Sequence, residues 1–232
     1  HLTSLLQGRQ AVVHLAAVRP AHEQSSEAYQ FNPDSTDILL QACLQAKVTN
    51  VILVSSRAVY GQQNPCPWTE AQIPLPDTPY GASKLAMEQC ADRFQAEFGL
   101  PSRCLRLSQL AGLGERGGYA LQNFILAAHH HQVIRVHALG ADGREYLYVR
   151  DAARAILAAL VHPTFHGAFN IGSQAPISIL DLARLVNRVF ENQGNLEIGP
   201  DATETGEMRW MDCSKARQVL GWSPYWTLEQ GL

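Results

Sequence analysis

Tyr80 and Lys84 lie four residues apart in the stretch Pro79-Tyr80-Gly81-Ala82-Ser83-Lys84. That spacing sets a phenol and an ammonium side by side on one face of a helix. A phenol titrates near about 10 in water, and a lysine charge a few ångströms away favours the phenolate and lowers that value. A tyrosine tuned in this way can exchange a proton with a substrate hydroxyl near neutral pH. Spacing alone is a weak signal. The same pair also reads as a half-buried tyrosine and a solvated lysine on an ordinary helix.

The elements around the pair decide between these readings. The helix that begins at Pro79 runs through Leu85, Met87, Glu88, Arg93 and Phe94 to a stop at Gly99. Ahead of it, Ala11-Val12-Val13-His14-Leu15-Ala16-Ala17 is a short, nearly continuous apolar run, which predicts a buried strand of a parallel sheet. Asn32-Pro33-Asp34 predicts a helix start, with Asn32 as cap and Pro33 at the first helical position. Ile38, Leu39, Ala42 and Ala46 form its apolar face. Val51 to Ser56 and Arg103 to Leu107 predict two further strands. Strand and helix therefore alternate at βαβ spacing, which implies a parallel sheet with helices on both faces. Ligands in such sheets sit at the carboxyl ends of the strands. Ala16-Ala17, Ser55-Ser56 and Ser108-Gln109 all fall at those ends, which gives independent support for a site near Tyr80.

Later segments are less regular. Tyr119 to Ala128 predicts a helix, Val133 to His137 and Tyr146 to Val149 predict strands, and Asp151 is the expected cap of a helix carrying Ala155, Ile156, Ala159 and Leu160. Phe169 to Gly172 predicts another strand. Ser178 and Asp181 form an S-x-x-D helix start, and Asp212 to Trp222 a short helix stopped by Gly221. Gly112-Leu113-Gly114-Glu115-Arg116-Gly117 matches G-x-G-x-x-G between a strand and a helix. The match comes after three βα units, and no acidic residue ends the following strand. A Gly-rich connection near the substrate is the preferred reading, and a pyrophosphate loop the minor one.

Composition narrows the function classes. The chain has 232 residues, of which 46% are hydrophobic and 17% charged, so a sizeable core is expected and disorder is not. A net charge of −3 leaves no electrostatic footprint for nucleic acid. No apolar run reaches the ~18 residues of a membrane span, and no signal peptide is read at His1 to Gln10. Five scattered cysteines without a C-x-x-C pair read as reduced thiols, and a cytoplasmic protein is expected. His129-His130-His131 closes a helix, where histidines suit the dipole, so no metal site is assigned.

Seven segments, in this order, resemble the extended short-chain dehydrogenases/reductases, specifically the NAD-dependent nucleotide-sugar epimerase/dehydratase family. They are VVHLAA (Val12 to Ala17), VSSRAVYG (Val54 to Gly61), PYGASK (Pro79 to Lys84), LRLSQLAG (Leu105 to Gly112), REYLYVRD (Arg144 to Asp151), FNIGS (Phe169 to Ser173) and LGWSP (Leu220 to Pro224). The resemblance implies a Rossmann-like core over residues 1–110, with the N-terminal strands of the family's sheet missing. It also implies a small α/β substrate-binding region over 111–232, from which residues about 144–172 return to the core. Tyr80 would be the acid/base that takes the proton of a sugar hydroxyl as hydride leaves for nicotinamide. Lys84 would bind the nicotinamide ribose, and Ser56, four before Tyr60, would hydrogen-bond the reacting oxygen. Ala16, Ala17, Asn32 and Ser55 would line the cofactor, NAD or NADP. Ser56, Gln109 and Arg144 would contact the substrate, a sugar or nucleotide sugar. Arg144 matches an arginine that grips the substrate's diphosphate. The family also implies a homodimer built on a four-helix interface from the Ile38 helix and the Tyr80 helix.

Four departures qualify these expectations. The family's opening strand and Gly-rich pyrophosphate turn have no counterpart in the sequence, so full NAD affinity is not expected from these residues alone. Arg57 and Ala58 stand where the 4,6-dehydratases carry Asp-Glu, which argues against water elimination. Gln109 replaces a substrate-contacting Asn. Glu204, two before Gly206, stands where many members place a second phosphate-binding arginine. An NAD(P)-dependent epimerase or reductase is the leading expectation. The alternative is a non-catalytic or truncated member of the family that acts as a binding or regulatory protein.

Overall fold

The structure is a computed structural model, and it describes residues 1–19, 25–115, 118–137, 140–199 and 206–232. In chain order the elements are α1 (Leu2–Leu6), β1 (Ala11–His14), a 3₁₀ turn (Ser26–Gln30), α2 (Phe31–Ala46), β2 (Asn50–Ser56), a second 3₁₀ turn (Arg57–Val59), α3 (Pro79–Phe98) and β3 (Ser102–Leu107). They continue with β4 (Gln109–Ala111), α4 (Ala120–His129), β5 (Ile134–Val136), β6 (Gly143–Tyr148), α5 (Val149–Leu160), β7 (Gly167–Ile171), β8 (Pro176–Ser178), α6 (Ile179–Val189), β9 (Leu196–Ile198), β10 (Met208–Arg209), α7 (Ser214–Leu220) and α8 (Leu228–Gly231). Among the described residues no helix is long and apolar enough to cross a membrane.

Two compact units form. The first comprises residues 1–107, 153–171 and 212–223, and the second 108–152, 172–211 and 224–232. In the first, four strands pair in parallel in the order β1-β2-β3-β7. Crossovers between parallel strands need helices, which α2, α3 and α5 supply. β3 is buried along its whole length, whereas every residue of β1 is only half-buried. The buried strand expected at residues 11–17 is therefore shorter, ending at His14, and among the described residues it stands first in the order of this sheet. In the second unit, parallel β10-β6-β4 carries antiparallel β8 on β6, and β5 pairs with β9.

Local chemistry explains where the helices start and stop. Thr78 caps α3 by accepting the Gly81 N–H, and Pro79 takes the first turn. Gly99 ends α3 with φ +65°, as Gly221 ends α7 with φ +63°, in the left-handed region that glycine adopts without strain. Ser178 caps α6 by accepting the Asp181 N–H, so the S-x-x-D reading holds.

Three sequence readings need correction. Asn32 is not the cap of α2, which begins a residue earlier at Phe31. The buried face of α2 contains Leu39, Leu40, Ala42 and Cys43, while Ile38 is 59% exposed. Asp151 is not a cap either. It sits inside the first turn of α5 and accepts the backbone N–H groups of Tyr225 and Trp226.

Asn32 has a different task. Its carboxamide oxygen accepts the Val18 N–H at 2.7 Å. Its amide nitrogen donates to the Val18 carbonyl at 3.1 Å and to Ser83 Oγ at 2.9 Å. Ser83 Oγ in turn donates to the Tyr80 carbonyl at 2.8 Å. One buried side chain thus fastens the loop after β1 to the first turn of α3. An unpaired buried backbone group costs about 1–3 kcal/mol. Asn32→Ala is accordingly expected to lower stability by about that amount and to speed amide exchange at Val18 at least about tenfold. Denaturant titration with hydrogen-exchange NMR measures both.

Candidate active site

In the first unit, α3 presents Tyr80 and Lys84 where the sequence places them. The Lys84 ammonium lies 5.9 Å from the centre of the Tyr80 ring. Tyr29 packs edge-on against that ring, with centroids 6.0 Å apart. Lys84 is only 3% exposed. Its Nζ donates to the Val54 carbonyl at 2.8 Å. An ammonium has three donors, and Val54 takes one of them. Burial disfavours the charged form and lowers the Lys84 pKa to about 8, partly opposed by the carboxylate of Glu88. A buried cation that still has donors to give is what a bound polyol would satisfy.

Ser56 ends β2 and caps the following 3₁₀ turn, its Oγ accepting the Ala58 N–H at 3.2 Å. A hydroxyl has a second lone pair and its own proton, so this cap leaves Ser56 able to donate. The turn abuts α3 closely. A Cβ placed on Gly81 would lie 2.4 Å from the Ala58 carbonyl oxygen, so only glycine lets the tyrosine's helix sit there. Ser55 is placed differently. Alternation along the strand sends it to the other side, where its Oγ donates to Glu88 at 2.5 Å. Ala16 is exposed and Ala17 half-buried in the segment after β1, so little side chain shields the backbone there.

Behind the helix lies a polar core that sequence reading missed. Arg106 on β3 binds both carboxylate oxygens of Glu88, with Nε at 3.0 and 3.2 Å and Nη2 at 2.7 Å. Its Nη1 donates to the Tyr60 hydroxyl, which donates to Asn170 Oδ1 at 2.6 Å. Burial pushes the Tyr60 pKa up to about 12, so the phenol stays protonated and can serve as that donor. The signals were present in the motifs, since Glu88 follows Lys84 by one turn and Arg106 lies inside LRLSQLAG. What the sequence does not display is that the two meet.

The second unit holds Gln109 and Arg144. Gln109 on β4 pairs with Tyr146 on β6, and Arg144 lies two residues earlier on β6, so the register places both on one face of this sheet. Arg209 on β10 is the register partner of Arg144. The two arginines therefore stand side by side on parallel strands, and Arg209 also pairs with Glu207. Arg209 was not among the candidate residues. Glu204, which stood for a missing second arginine, lies outside the described residues. Glu145, between Arg144 and Tyr146 on β6, is fully buried and accepts the N–H groups of Met211 and Gln174, which ties the β10 segment to β6. Gly172 makes room for it, because a Cβ there would lie 2.4 Å from Glu145 Oε2.

The G-x-G-x-x-G match follows β4 in the second unit, off the four-stranded parallel sheet, and its Arg116 and Gly117 lie outside the described residues. The described residues thus fit the nicotinamide end of a dinucleotide, through Lys84, Tyr80 and the small residues after β1. Among them no Gly-rich turn opens a helix from the four-stranded sheet to take a pyrophosphate. The described residues also include no group of three or more His, Cys, Asp or Glu side chains placed to hold a metal ion.

Known proteins resemble this chain over nearly its whole length. The sequence model described as the NAD dependent epimerase/dehydratase family matches residues 2–172. An uncharacterized UDP-glucose epimerase, YtcB, of Bacillus subtilis is 28% identical, over 100% of this chain and 74% of its own length. A UDP-glucuronate 4-epimerase of Thermodesulfobacterium geofontis is 27% identical, over 96% of this chain and 70% of its own. Among solved structures, the UDP-N-acetylglucosamine 4-epimerase of Bacillus cereus superposes with a TM-score of 0.90 at 32% identity, covering 99% of this chain and 77% of that one. The UDP-glucuronic acid 4-epimerase of Bacillus cereus in complex with NAD gives 0.88 at 27%, covering 99% and 72%. The chain is a member of the NAD dependent epimerase/dehydratase family, with its Rossmann-like fold.

Proposed function

We propose that this chain carries the proton-transfer and substrate-binding parts of an NAD(P)-dependent epimerase or reductase acting on a nucleotide sugar. The observation that carries the proposal is the buried ammonium of Lys84 beside the Tyr80 ring. A cation at that range favours the phenolate, which makes Tyr80 a base for a sugar hydroxyl and, in return, an acid for the alkoxide. Lys84 keeps the tyrosine's charge balanced and offers its remaining donors to ribose hydroxyls. Ser56 donates to the reacting oxygen. NAD, when bound, supplies the hydride acceptor.

In the second unit, Arg144 and Arg209 offer two guanidinium groups side by side, an arrangement suited to the paired charges of a diphosphate. The UDP-sugar epimerases to which the chain is similar support that substrate class. Gln109, on the same face, would contact the sugar. Arg57, in place of an acidic residue after Ser56, favours epimerisation or reduction over dehydration. A homodimer fits the surface of the first unit. Ile38 and Phe98 are 59% and 56% exposed on α2 and α3, and a cavity of about 280 Å³ is lined by Leu44, Phe94 and Phe98 together with the polar Gln41, Gln45, Arg93 and Glu97. Light scattering is expected to give a dimer mass, and a monomer at high concentration would count against that assembly.

Tyr80→Phe is expected to cut turnover of a UDP-hexose at least about a hundredfold, the scale of general acid/base catalysis, with substrate affinity retained. Comparable turnover in the variant would sink the mechanism. The pH dependence has a defined sign. In the ketone-reducing direction the Tyr80/Lys84 pair must hold a proton to give. Rates are therefore expected to fall as pH rises through about 8, the value to which burial lowers Lys84. Arg144→Ala and Arg209→Ala should each raise KM about tenfold or more and leave kcat within a few-fold.

A further inference from the structure

The Tyr80/Lys84 pair stands on two hydrogen bonds that join adjacent residues of β2 to successive turns of α3. Lys84 Nζ donates to the Val54 carbonyl at 2.8 Å, and Ser55 Oγ donates to Glu88 at 2.5 Å. The next residue of β2 is Ser56. Glu88 cannot shift freely, because Arg106 on β3 grips both of its oxygens and both side chains are about as buried as the core, at 5% and 6% exposure. Glu88 is also the anion one helical turn from Lys84, and its charge supports that ammonium against burial. Besides Tyr80, the other titratable groups around Lys84 among the described residues are Cys104 on β3 and His14 on β1. Burial pushes the Cys104 thiol up, so it stays protonated, and burial with the Lys84 charge pushes His14 down, so it stays neutral. Among the described residues, Glu88 is then the carboxylate that acts on the Lys84 ammonium.

We propose that Glu88 is a positioning residue for the proton-transfer pair: it anchors the end of β2 that carries Ser56 and supplies the counter-charge that keeps Lys84 protonated beside Tyr80. This deepens the reading of the site given above and rests on it for its catalytic meaning, but the two can be tested apart. The ion pair with Arg106 fixes the carboxylate in place, and the Ser55 bond transmits that position to the strand. A merely structural pair would hold the fold without altering Lys84.

The chain has three lysines, Lys47, Lys84 and Lys215, so a ¹³C-lysine-labelled protein gives a readable side-chain titration without substrate or cofactor. Lys84→Met assigns the Lys84 signal. The intact chain is expected to titrate at Lys84 near about 8. In Glu88→Gln the midpoint should fall by about one unit or more. Because Glu88→Gln strands a buried guanidinium and could unfold the chain, Glu88→Gln/Arg106→Gln provides the same reading without a stranded charge. Ser55→Ala, which leaves the ion pair whole, should speed amide exchange at Val54 and Ser56 at least about tenfold. A Lys84 midpoint that stays within about 0.3 unit in a folded Glu88 variant overturns the counter-charge. Unchanged exchange in Ser55→Ala overturns the anchoring. Failure of Tyr80→Phe to affect turnover would overturn the catalytic reading and leave both of these results standing.

Discussion

The first unit is organised around a lysine charge taken out of water. Lys84 is almost fully enclosed, and the interior supplies one carbonyl and one nearby carboxylate to hold it. A charge so placed destabilises the fold unless something compensates, and its pKa moves toward neutrality in consequence. In the proposed chemistry the ammonium favours the Tyr80 phenolate while it keeps its proton, and that support is lost as pH rises through about 8.

Much of the surrounding architecture serves that placement. Gly81 lets the tyrosine's turn touch the 3₁₀ turn that Ser56 caps. Asn32 ties the loop after β1 to Ser83, within the same turn of helix. Arg106, Glu88, Tyr60 and Asn170 form a continuous buried chain that crosses from α3 to β3 to β7. Buried polar networks of this kind hold well when every member is satisfied, and each side chain here has its partner. The second unit uses the same device on a smaller scale, with Glu145 accepting two backbone N–H groups to bind the β10 segment to β6.

The sequence displays those features that depend on local chemistry. The Tyr80 helix, its stop at Gly99, the strands at 51–56 and 103–107 and the Ser178 cap are set by neighbours in the chain, and all appear where expected. The misreadings share a cause. Asn32 and Asp151 read as caps because such residues favour helix starts, yet each directs its side chain to backbone outside its own helix. β1 reads as a buried strand from its composition, and among the described residues it is half-buried and stands first in the order β1-β2-β3-β7. Arg209 escaped notice because its significance lies in register with Arg144, 65 residues earlier, which no local pattern encodes. The seven ordered motifs fixed the family, but the hydrogen bonds between motifs, above all Glu88 to Arg106, became visible only in three dimensions.

If the Lys84 charge makes Tyr80 ionise more easily, removing that charge must raise the Tyr80 midpoint. Ultraviolet difference titration of the intact chain against Tyr80→Phe isolates the Tyr80 phenolate, and the same pair of titrations in a Lys84→Met background removes the cation. The Tyr80 midpoint is expected to be lower when Lys84 is present than when it is not. Equal midpoints in the two backgrounds would contradict it.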